Sequence, residues 1–125
     1  MNMFMLAGSI SAALAVAFGA FGAHALKGRV EPALLEVYHT AVQYHFYHAL
    51  GLFAVAMAAA HLPSEAAGTV KWAGLSMILG TVVFCGSLYV MSLSGQRWLG
   101  AITPLGGVAF ITAWVLLAIA VARSA

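Results

Sequence analysis

Every charged side chain in this 125-residue sequence, five cations and three carboxylates, falls within positions 27–36, 65–71, 97 and 123. The stretches between them, Met1–Leu26, Val37–Ser64, Trp72–Gln96 and Trp98–Ala122, carry no charge at all. An α-helix rises about 1.5 Å per residue and needs about 20 apolar residues to cross about 30 Å of hydrocarbon. Each stretch is long enough, so the spacing predicts an all-α, integral membrane four-helix bundle forming a single transmembrane domain over residues 1–125.

A soluble domain would carry about 25% charged residues; here 6% are charged and 64% are hydrophobic, with a mean hydropathy of +1.02. No water-facing stripe can be built from that. The five cations are scattered, so a nucleic-acid partner or a polybasic lipid-binding patch is not expected. The one cysteine, Cys85, sits inside an apolar stretch and excludes an intrachain disulfide framework. Ala23-His24-Ala25 resembles an export-signal cleavage site, but no Lys or Arg precedes the apolar run, so the first helix is expected to stay with the chain.

The spans are expected at about 3–23, 44–60, 72–93 and 104–122. In the first, Ser11, Ala15, Gly19 and Ala23 recur every four residues with Gly8 and Ala12 beside them, a pattern that lets helices approach closely in lipid. Lys27-Gly28-Arg29-Val30-Glu31 breaks the run, and Pro32 suits the first turn of a new helix. Glu36, His39, Thr40 and Gln43 share one face there, which predicts a short amphipathic interfacial segment that continues or bends into the second span. Ser76 and Gly80 form another close-packing pair in the third. The fourth either starts near Trp98 and kinks at Pro104, or starts at Pro104 with Thr103 as its N-cap; the second reading is favoured because Thr-Pro is a helix-start signature. Three cations on the side of the first and third connections against two on the other give a weak bias for both termini outside.

Four antiparallel spans bring the end of the first helix, the start of the second, the end of the third and the start of the fourth to one membrane side. His24, Gln43, Tyr44, His48, Ser87, Tyr89, Thr103, Pro104, Gly106 and Gly107 therefore form a candidate polar site on that side. His39 and His45 lie there too, whereas His61 is on the other. Polar side chains inside a span usually face the bundle interior. His24 and His48 invite a metal or haem reading, but there is no Asp, no intramembrane carboxylate and no Cys-x-x-Cys, so no metal or other cofactor is expected. Gly106-Gly107 suits an anion at a helix N-terminus or close helix packing equally. No nucleophile elbow or phosphate-binding loop occurs, so no catalytic residue is assigned and the chain is not expected to be an enzyme.

Four segments, Gly19-Ala20-Phe21-Gly22-Ala23-His24-Ala25-Leu26, Ala41-Val42-Gln43-Tyr44-His45-Phe46-Tyr47-His48-Ala49-Leu50, Gly86-Ser87-Leu88-Tyr89 and Ile102-Thr103-Pro104-Leu105-Gly106-Gly107, together resemble the small membrane proteins of domain of unknown function 423. That family is also called uncharacterised protein family 0382, and transmembrane protein 256 is its eukaryotic relative. The resemblance covers nearly the whole chain. It implies a four-span protein of the bacterial inner (plasma) membrane and no established activity.

The functional expectation is a structural or binding bundle whose partner is the lipid bilayer. A lipid or quinone-like ligand would lie in one cavity bordered by His24, Tyr44, His48 and the turn from Thr103 to Gly107. The small-residue faces leave a homo-oligomer open. The alternatives are a small transporter or channel subunit, or a haem- or quinone-binding subunit.

Overall fold

The computed structural model describes residues 2–125, which fold into four helical rods. Rod α1, Met3–Leu26, ends in a wider π turn over Gly22–Leu26. Rod α2, Pro32–His61, is one uninterrupted helix of 30 residues. Rod α3, Ser64–Ser94, opens with a single 3-10 turn and carries a π turn at Thr81–Cys85. Rod α4, Arg97–Arg123, begins as a 3-10 turn over Arg97–Ala101 and becomes α-helical at Thr103.

Local chemistry sets the joints. Glu31 is extended, as a residue before proline must be, and Pro32 occupies the first turn, where its missing N–H costs nothing. Leu62, before Pro63, is extended in the same way and stops α2. Gly95 closes α3 in the left-handed conformation at φ 76°, with its N–H donating to the Met91 carbonyl.

Rods α1, α3 and α4 are long and apolar enough to cross a membrane; α2, which carries Glu36, His39, Gln43, His45 and His48, is long enough but less apolar. The rods run antiparallel. At one end Arg97 pairs with Glu31 at 3.2 Å, tying the α1–α2 and α3–α4 connections together. At the other, the Phe4 ring lies over Gly74. The main core, built around Leu52, Val55, Val70, Met77, Ala113 and Ala120, fills the half nearer Phe4. A smaller cluster of Leu34, Ala41, Leu88 and Met91 fills the half nearer Glu31.

The third helix runs past both ends of the span expected at 72–93, from Ser64 to Ser94, because Lys71 and Trp72 project from its exposed side and do not interrupt it. Two expectations are corrected. Thr103 is the first α-helical residue of α4 and caps nothing; its hydroxyl bonds Ser87 and the Leu99 carbonyl instead. The buried small row of α1 is Gly8, Ala15 and Gly22, while Ala23 is exposed. At 3.6 residues per turn, residues four apart drift about 40° per step, so a row of four leaves the contact face, whereas seven-residue steps stay on it.

Candidate functional site

The buried polar side chains make three connections between rods. His48 is only 5% exposed. Its ring lies on Phe110 of α4, centroids 3.5 Å apart and planes within 8°. Its Nε2 receives a hydrogen bond from the Trp114 indole Nε1 at 3.0 Å, and its Nδ1 lies 2.8 Å from the Tyr44 carbonyl. An indole N–H only donates and a carbonyl only accepts, so the network assigns one tautomer: Nδ1–H donates to Tyr44 and Nε2 accepts from Trp114. No lone pair is left on His48 for a ligand.

His45, also 5% exposed, joins α2 to α3 through Nδ1 and the Tyr89 hydroxyl at 2.9 Å. Phe18 of α1 packs edge-on against Tyr89 at 5.0 Å, and Tyr38 donates to the Phe18 carbonyl at 2.6 Å, so three rods meet there. The third connection is Ser87 to Thr103, 2.6 Å between hydroxyl oxygens. Two proton arrangements satisfy it. Either Thr103 donates to Ser87, which donates to the Phe84 carbonyl, or Ser87 donates to Thr103, which donates to the Leu99 carbonyl.

Phe84 sits where these groups converge, because it lies in the π turn of α3. A π turn holds about one extra residue and displaces the local backbone. Here that backbone presses on Gly106, where any Cβ would collide with the Phe84 main chain. The Tyr44 ring packs on Phe84 at 4.8 Å, with Tyr44 itself 37% exposed. Close packing thus accounts for Gly106, while Gly107 comes no nearer than ordinary contact with Phe84.

Of the ten residues expected at one site, Tyr44, His48, Ser87, Thr103 and Gly106 converge around Phe84 and Phe110, and Tyr89 lies across α2 with His45. The other members disperse. His24 is exposed beyond Phe21, Gln43 bonds the exposed Tyr47 hydroxyl at 2.8 Å, and Pro104 is exposed. The clefts lined by Phe18 and Tyr89, by Glu65 and Arg123, by Ser11 and His45 and by Phe4 and Ala56 include none of His24, Tyr44, His48 or residues 103–107, the groups expected to border one shared cavity.

Sequence reasoning left Trp114, Phe110 and Ser11 out of the site and gave His45 no role. The Trp114 signal was present: an indole N–H deep inside an apolar stretch needs an acceptor. Ser11 belongs to the small-residue row of the first helix, yet its hydroxyl is buried and is the one such side-chain atom without a hydrogen-bond partner among the described residues. Among those residues no group of three His, Cys, Asp or Glu side chains is placed to hold a metal ion.

Residues 18–107 match the family model described as protein of unknown function (DUF423). The chain is 51% identical to the UPF0382 membrane protein YwdK of Bacillus subtilis over 98% of each sequence. It is 40% identical to a UPF0382 membrane protein of Staphylococcus epidermidis over 100% of this chain and 99% of that one. A UPF0382 membrane protein of Staphylococcus haemolyticus is likewise 40% identical, over 95% and 94%. No solved structure matches.

Proposed function

The chain belongs to the DUF423 family of membrane proteins, and from that premise we propose that it is a four-span, multi-pass scaffold of the bacterial inner membrane. It is a structural and binding protein rather than an enzyme, and its buried polar side chains act as staples between helices. The second span is the stretch from about Tyr44 to Ala60. Its two buried histidines are bonded inward, and its outward side presents Tyr47, Leu50 and Met57. The polar Glu36, His39 and Gln43 come before it, at the depth of the headgroups.

The single observation that carries this reading is His48, both of whose ring nitrogens are spent on Tyr44 and Trp114. A haem ligand would have to give up one of those bonds in hydrocarbon, where no water replaces it. A conducting path is less well supported, because the half of the bundle built on Leu52, Val55, Val70, Met77 and Ala113 is apolar.

The test is a pair of variants and a spectrum. His48→Ala and Trp114→Phe should each lower the unfolding midpoint in detergent, and the double variant should lose little more than either, since one bond is shared. Interhelical hydrogen bonds in membranes average about 0.6 kcal/mol and reach about 1.7. Protein purified from membranes should show no Soret band; a band that vanishes with His48→Ala, at unchanged melting, would reverse the assignment.

A further inference from the structure

Rods α1 and α3 touch at two places and part between them. At one end of the seam Phe4 covers Gly74, and further along Phe18 meets Tyr89. Between these contacts lies a cleft of about 390 Å³, walled by Ile10, Ser11 and Leu14 on one side and Thr81 and Val82 on the other, with His45 on its floor. Ligand sites fall at about 300–1,000 Å³ and are apolar with a few convergent polar groups. The cleft lies where α3 carries its π turn, a distortion frequent at functional sites.

Two polar groups here lack partners. His45 uses Nδ1 on Tyr89, and its Nε2 has no hydrogen-bond partner among the described residues. The Ser11 hydroxyl has none either, so turning it about χ1 into the cleft breaks no bond. The Ser11 hydroxyl is sealed off and His45 Nε2 is not, and in hydrocarbon an unpaired polar group is costly in either position. Thr81, by contrast, is already satisfied by the Met77 carbonyl.

We propose that this cleft is a binding site for the ring of a membrane-soluble quinone, with Ser11 and His45 as its hydrogen-bonding partners. The proposal rests on the four-span reading, which sets Ser11 and Thr81 near the middle of their rods and so deep in the bilayer. A lipid headgroup does not reach that depth, and an acyl chain would fill the cleft but leave both polar groups unpaired. A cation would meet no carboxylate. A partner helix lying over the seam would, like an acyl chain, leave Ser11 and His45 unpaired unless it brought a polar side chain to them.

The chemistry favours a quinone over an ester or a ketone. The Tyr89 hydroxyl can donate to or accept from His45 Nδ1, which makes Nε2 a donor or an acceptor in turn. The Ser11 hydroxyl has the same choice. The site therefore accepts the carbonyls of the oxidised ring and the hydroxyls of the reduced one.

The probe is decylubiquinone, added to the full chain in lipid nanodiscs, with hexadecane as the purely apolar control. Decylubiquinone should shift the His45 imidazole resonances, and hexadecane should not. Ser11→Ala should weaken binding about tenfold, the loss of roughly one hydrogen bond, while the unliganded variant melts no lower than the parent. Val82→Trp, which fills the cleft from an exposed position, should abolish binding. An unmoved His45 resonance, an equal response to hexadecane, or parental affinity in both variants would overturn the proposal. Sidedness labelling reports on the four spans independently, so failure of one result is distinguishable from failure of the other.

Discussion

At the scale of single residues, the same residue type carries opposite constraints one position apart. Gly106 faces the Phe84 backbone, which cannot move aside as a flexible side chain could, whereas Gly107 has room. Gly106→Ala should therefore destabilise the protein by about 1–3 kcal/mol, the cost of overpacking a tight contact, and Gly107→Ala should cost nothing. Denaturant unfolding in mixed micelles measures both, and equal effects at the two positions would contradict the contact. The sequence shows that glycines cluster after Pro104; which one is indispensable depends on where the π turn of α3 puts a backbone. His48 is similar, legible as an inward polar group in an apolar stretch, with its tautomer set by an indole 66 positions away. His24 shows the converse. It carries the same chemistry on paper, but the π turn at Gly22–Leu26 ends the rod with that side chain outside.

At the scale of elements, charge-free stretches and prolines were enough to count the helices and place most of their ends. Pro32, Pro63 and Gly95 mark boundaries through backbone sterics, which are local and so readable. The start of α3 was not readable from charge, because one exposed lysine on a helix surface interrupts nothing. The π turns have no local signature; they exist where packing accommodates an extra residue. Deleting the exposed Val82 should return α3 to regular helix while leaving Met77 and Tyr89 near their present faces, because a π turn holds about one residue more than the helix it interrupts. The deletion should yield folded protein with a modestly lowered melting midpoint. Inserting an alanine at the same place should not fold, since it turns the Tyr89 half by about 100°. If deletion and insertion are equally damaging, as judged by size-exclusion profile and melting in detergent, the turn is not an accommodated insertion.

At the scale of the whole molecule, the number of membrane crossings follows from which connections share an end. Rod α2 has 30 residues, about 45 Å of helix, and packs antiparallel on α1 from Tyr38 against Gly22 to Ala49 against Gly8. The ion pair of Glu31 with Arg97 then sets the first and third connections side by side, although both groups are too exposed for the pair to add much stability. If α2 crosses the membrane, Lys27 and Gln96 lie on one face and Gly68 on the other. If α2 instead lies along the surface, α1, α3 and α4 alone cross, so Gly68 joins Lys27 and Gln96 moves to the opposite face. Lys27 and Gln96 are better probe sites than Gly28 and Gly95, whose positive φ strains any other residue. The native Cys85 is buried and adds little background. Single cysteines at these three positions, treated with a membrane-impermeant maleimide in right-side-out and inverted vesicles, should label Lys27→Cys and Gln96→Cys from the same face and Gly68→Cys from the other. The excess of three cations over two predicts that the shared face is the cytoplasmic one. Labelling of Lys27→Cys and Gln96→Cys from opposite faces would remove the fourth span, and with it the depth at which Ser11 and His45 are placed.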